Sequence, residues 1–111
     1  MGISTHILDT TRGRPASGVS VSIELEQSDG TWRRVGDGVT NDDGRIKPLL
    51  DPIPQAGTYR IRFETQAYFA AQKVDAFYPR VSIDFAVKAA GEHYHVPLLL
   101  NPFGFSTYRG S

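Results

Sequence analysis

An all-β sandwich of eight strands in two antiparallel sheets, with one short helix, is predicted for this chain by three observations. Apolar residues alternate with polar ones over several short segments, and clusters of Gly, Pro, Asn and Asp separate those segments at regular spacing. A single stretch combines helix formers with freedom from Gly and Pro. A period of two puts every second side chain on one face, so each such segment has one face to bury, and two sheets packed together bury both.

In chain order, Ile3 to Leu8 is β-rich and runs into a turn-rich loop over Asp9 to Gly18. From Val19 to Leu25 the residues Val19, Val21, Ile23 and Leu25 alternate with Ser20, Ser22 and Glu24. Ser28, Asp29 and Gly30 form a hairpin signal, and Thr31 to Val39 returns with Trp32 as its largest apolar residue. A second turn over Asn41 to Gly44 leads into Arg45 to Leu50 and then a proline-rich stretch. Tyr59, Ile61 and Phe63 alternate with Arg60, Arg62 and Glu64 in the next strand, over Thr58 to Glu64. Thr65 to Gln72 reads as about two turns of helix, with Thr65 able to act as its N-cap. Val81, Ile83, Phe85 and Val87 mark another strand, and the end of the chain supplies two more around a turn at Asn101 and Pro102. In the first of these Val96, Leu98 and Leu100 point inward with Tyr94, which places His93 and His95 together on the opposite face. Pro97 shares that outer face, and a residue without an N–H needs an edge, a bulge or a gap in the hydrogen-bond ladder. The aromatic residues Tyr59, Phe63 and Phe85 fit a core.

The 111 residues suit one domain over 1–111, with no repeat or linker dividing it. Without cysteine, disulfides, thiolate metal sites and cysteine nucleophiles are excluded. Zero formal net charge, with both signs dispersed, argues against nucleic acid as a partner and against a basic membrane-surface helix. No apolar run approaches the roughly 20 residues of a membrane span, and the start lacks signal-peptide character. A soluble, cytoplasmic protein with no membrane partner is expected.

Chemistry concentrates in few residues. His6, His93 and His95 are the only histidines, and imidazole exchanges protons near neutral pH. The His93/His95 pair would suit two positions around a metal, but no third ligand at familiar spacing accompanies it, and no metal is expected. Arg45 and Arg109 are permanent cations with planar donor forks, a description that also fits solvated surface arginines. Tyr108, Ser106 and Ser111 offer hydroxyls without the surroundings of a serine nucleophile. Asp42, Asp43, Glu24 and Glu26 read as turn and solvent-face residues.

Four segments carry a resemblance. Thr5-His6-Ile7-Leu8-Asp9 with Gly13-Arg14-Pro15-Ala16, then Thr40 to Arg45, then His93 to Leu100, and finally Tyr108-Arg109-Gly110-Ser111 resemble the 5-hydroxyisourate hydrolase family, the transthyretin-like enzymes of urate breakdown. The likeness runs from near residue 3 to the last residue, and the final tetrapeptide is its most specific part. Phe105 stands where many members have tyrosine and Asn101 where many have serine.

This resemblance implies a prealbumin/transthyretin-like sandwich assembled as a homotetramer, with sites at the subunit interface. It implies His6, Arg45 and His95 as catalytic residues, Tyr108 and Ser111 as substrate-binding ones, and no cofactor. The implied reaction is attack of water on the C6 carbonyl of 5-hydroxyisourate, giving 2-oxo-4-hydroxy-4-carboxy-5-ureidoimidazoline, with either His6 or His95 as base. A non-catalytic transthyretin-like carrier of a small ligand is the competing reading, and a generic sandwich interaction module a third. The carrier has no need of the tail together with both histidines.

Overall fold

The computed structural model describes residues 2–111. In chain order the elements are β1 (Ile3–Asp9), β2 (Arg14–Pro15), β3 (Ser20–Glu26), β4 (Trp32–Val39), β5 (Arg45–Leu50), β6 (Gly57–Phe63), α1 (Thr65–Ala70), β7 (Val81–Val87), β8 (Tyr94–Asn101) and β9 (Gly104–Thr107). One sheet has the order β2-β1-β8-β9, with β5 also paired to β1, and the other has the order β4-β3-β6-β7. The core lies between them. Ile3, Ile7, Leu98 and Leu100 from the first sheet and Val21, Ile23, Ile61 and Phe63 from the second are among its buried members.

Phe63 shows how the alternation becomes stability. It is fully buried, and its register partners are Val21 on β3 and Val81 on β7, both buried as well. Phe63→Ala is expected to destabilise the fold by about 3–5 kcal/mol, because the surrounding strands close only partly over the cavity. Urea unfolding checks this as a lowered midpoint with little change in slope.

Four features depart from the sequence reading. The described residues form nine strands, because Arg14 and Pro15 pair with Asp9 and Leu8 in a two-residue ladder inside the predicted loop. The pairing of β1 with β8 is parallel, so the first sheet is mixed. Thr65 is not the N-cap: Glu64 holds that position without a side-chain cap bond, and Thr65 is buried as the first helical residue. The helix also ends at Ala70, short of Gln72, and Lys73 follows in the left-handed region with φ of 60°.

Pro97 explains the shape of the tail. Leu98 pairs with Thr107 on β9, and His95 pairs with Gly110 in an isolated bridge of the same register. Pro97 lies in the gap between them, where a residue lacking an N–H interrupts the ladder. Beyond that gap Gly110 N donates to the His95 carbonyl at 2.8 Å, so the final residues return to β8.

Candidate active site

The outer face of the first sheet brings the histidines and cations together. Ser4 on β1 lies beside His95 on β8, and His6 lies beside Pro97 on one side and Arg45 of β5 on the other. The turn before β5 delivers Arg45. Asn41 Oδ1 accepts from the amides of Asp43 at 2.9 Å and Arg45 at 3.0 Å, and Gly44 takes φ of 73°, a backbone conformation suited to glycine. The Gly44 carbonyl then accepts from Ile7 N at 2.8 Å, tying the turn to β1.

A polar cleft of about 90 Å³ is lined by Ser4, Thr5, Arg45, Lys47, His93, His95 and Ser111. Arg45 and Lys47 form no ion pair among the described residues. Burial holds the pKa of His95 below its ordinary value, and the positive charges of Arg45, His6, His93 and Lys47 push in the same direction. His6 is likewise lowered, first by burial and then by Arg45, with the Asp43 backbone and carboxylate pulling the other way. Both imidazoles therefore favour the neutral form, in which one ring nitrogen can take a proton. Two free cations beside them suit an oxygen that gains negative charge.

The His95 ring is gripped on two sides. Ser4 Oγ lies 2.8 Å from Nδ1, while a Cβ at Gly110 would stand 2.5 Å from His95 Cδ2 and 3.2 Å from Pro97 Cγ. Glycine is the residue that lets the tail backbone lie so close to the imidazole. Arg109 anchors the same tail, its guanidinium 4.5 Å above the ring of the buried Tyr94, whose hydroxyl accepts from Lys88 N and Ala89 N.

Of the residues singled out from sequence, Arg45, His95 and Ser111 line one cleft, and His6 adjoins it as the register partner of Arg45. Tyr108 does not line it. Tyr108 is 59 % exposed and borders a second, mostly apolar cleft of about 250 Å³ with Ile83, Phe85, Tyr94 and Arg109, which shares only His95 with the first. Sequence reasoning missed Ser4 and Lys47. Each follows the same alternation as a recognised site residue, Ser4 two before His6 and Lys47 two after Arg45, and that spacing is the signal by which both were accessible. Among the described residues no three His, Asp or Glu side chains form a group able to hold a metal ion.

A profile of the HIUase/Transthyretin family matches residues 3–110. The chain belongs to that family. A 5-hydroxyisourate hydrolase from Salmonella dublin is 46% identical over 110 residues, covering 98% of this chain and 80% of the relative. The structure of a Klebsiella pneumoniae 5-hydroxyisourate hydrolase superposes with a TM-score of 0.88 at 40% identity, covering 100% of both chains. Sea bream transthyretin in complex with thyroxine superposes with a TM-score of 0.93 at 32% identity, covering 99% of this chain and 95% of that one. Within the HIUase/transthyretin family the backbone thus accompanies both hydrolases and a thyroxine-bound protein, and side chains must separate the two.

Proposed function

We propose that residues 1–111 form a single transthyretin-like domain that hydrolyses 5-hydroxyisourate to 2-oxo-4-hydroxy-4-carboxy-5-ureidoimidazoline, in the cytoplasm and without a cofactor. The observation that carries this reading is the meeting of His95, favoured in its neutral form, with the cations Arg45 and Lys47, which form no ion pair among the described residues, and the tail residue Ser111 in one cleft. A carrier needs shape and apolar surface. This cleft offers a base and charge.

In the proposed reaction His95 or His6 takes a proton from the attacking water as the water oxygen bonds to C6. The carbonyl oxygen becomes an oxyanion beside the Arg45 guanidinium, whose fixed charge and planar donors favour it over the neutral carbonyl. Collapse of that intermediate breaks the bond from C6 to the ring nitrogen, and the protonated histidine returns a proton to that nitrogen. Ser111 positions the ring or the water, while Tyr108, outside the polar cleft, would reach substrate from the adjoining apolar one.

A cleft of about 90 Å³ is small for this substrate, since ligand pockets run to roughly 300 Å³ or more. A homotetramer in which another copy supplies the opposing wall completes it. The direct test follows the ultraviolet decay of freshly generated 5-hydroxyisourate against its spontaneous rate. Decay no faster with the protein present would refute the hydrolase reading in favour of a carrier.

The charge arrangement also sets a pH dependence. The reactive histidine is the neutral one, and its protonated form is disfavoured, so the base survives to lower pH than a free imidazole. The acid limb of the kcat/KM profile is expected to have its midpoint below the ordinary value of 6.5. Because His6 and His95 sense each other, that midpoint belongs to the pair. A midpoint above 6.5 would contradict the electrostatic description.

A further inference from the structure

Ser4 is 2% exposed, yet it carries a hydroxyl and sits in the centre of the first sheet. A buried hydroxyl must find partners for its proton and its lone pairs. Among the described residues this one has two, His95 Nδ1 at 2.8 Å and His93 Nε2 at 3.4 Å. The two imidazoles lie nearly parallel, 6.5 Å apart between centroids and 11° between planes, with Ser4 bridging them. Its neighbour Thr5 is committed elsewhere, donating to the Val96 carbonyl at 2.7 Å.

One hydroxyl between two imidazole nitrogens can run in either direction, and the surroundings choose. Arg45 and Lys47 from β5 share the cleft with His95 and act on it as positive charges, while Asp43 acts on the neighbouring imidazole of His6. Positive charge in the cleft disfavours an added proton on the imidazole, and Ser4 already engages Nδ1, which leaves Nε2 as the nitrogen without a protein partner among the described residues. We propose that Ser4 is a positioning residue that accepts a hydrogen bond from His95 Nδ1–H and donates one to His93 Nε2, holding His95 in the tautomer whose Nε2 is the free base. The packing of Gly110 against the Cδ2 edge keeps the ring from turning over, so tautomer and orientation are set together. His93 thereby gains a part as acceptor for the Ser4 proton.

The catalytic half of this inference rests on the hydrolase reading, and the tautomer half does not. Nitrogen-15 NMR of histidine-labelled protein, at a pH where His95 is neutral, shows which ring nitrogen carries the proton. The proton is expected on Nδ1 in the unsubstituted protein and in Ser4→Thr, and is expected to move largely to Nε2 in Ser4→Ala. Turnover of 5-hydroxyisourate by Ser4→Ala is expected to drop about 10- to 100-fold in kcat with KM changed by less than about threefold, and Ser4→Thr to recover most of it. A proton on Nε2 in the unsubstituted protein overturns the proposal without any substitution being made. An unchanged tautomer in Ser4→Ala overturns it as well, whatever happens to kcat, because Ser4 would then be packing alone. If the tautomer responds and no variant hydrolyses 5-hydroxyisourate, the positioning role stands and the hydrolase reading falls.

Discussion

Replacing His95 with alanine is expected to lower kcat on 5-hydroxyisourate by about 10²- to 10⁴-fold, the contribution usual for a positioned general acid–base group. The side chain lies on the outer face of β8, only half-buried, while its neighbours Tyr94 and Val96 supply the core contacts, so the sandwich should survive the change. Arg45, Lys47 and Ser111 remain in the cleft, and KM should move much less than kcat. Spontaneous decay of the substrate sets the floor of the measurement. A variant within about threefold of the original kcat would remove His95 from the mechanism.

Removing Tyr108 to Ser111 should be nearly as damaging, by another route. The deletion takes away Ser111, the Arg109 contact with Tyr94 and the Gly110 amide that reaches the His95 carbonyl. Since β9 ends at Thr107, no named strand is cut. The imidazole loses the backbone that packs against it, and misplacement of a reacting group by about 1 Å costs roughly 10²-fold. Turnover is expected to fall at least that far while circular dichroism and the unfolding midpoint stay close to the original. Full activity in the shortened protein would show that the tail lies outside the site.

Much of the fold was legible because burial alternates where the sequence alternates. Ser20–Glu26, Gly57–Phe63, Val81–Val87 and Tyr94–Asn101 each begin and end within a residue or so of the reading. What escaped was set by tertiary contacts. The β2 ladder is two residues long and includes a proline, so no periodicity announces it. Parallel pairing of β1 with β8 leaves no local mark, and Thr65 looked like a cap because its hydroxyl could serve as one, whereas its side chain is buried. In the site, Arg45, His95 and Ser111 line one cleft, with His6 at its border. Tyr108, opposite Pro97 where the ladder breaks, borders the apolar cleft instead. Ser4 was passed over although it stands two before His6, because the spacing gives its face of the strand and not its partner, which lies 91 positions away.

That separation has a bearing on biosynthesis. β1 leaves the ribosome well before β8, its parallel neighbour; β2 and β5 can pair with one of its edges early, but the edge that β8 covers stays open until β8 follows. Pairing of ends so remote closes a large loop and belongs to the slow class of folding events. The nascent chain therefore acquires the Ser4–His95 contact, and with it the proposed setting of the imidazole, only once β8 has joined the first sheet.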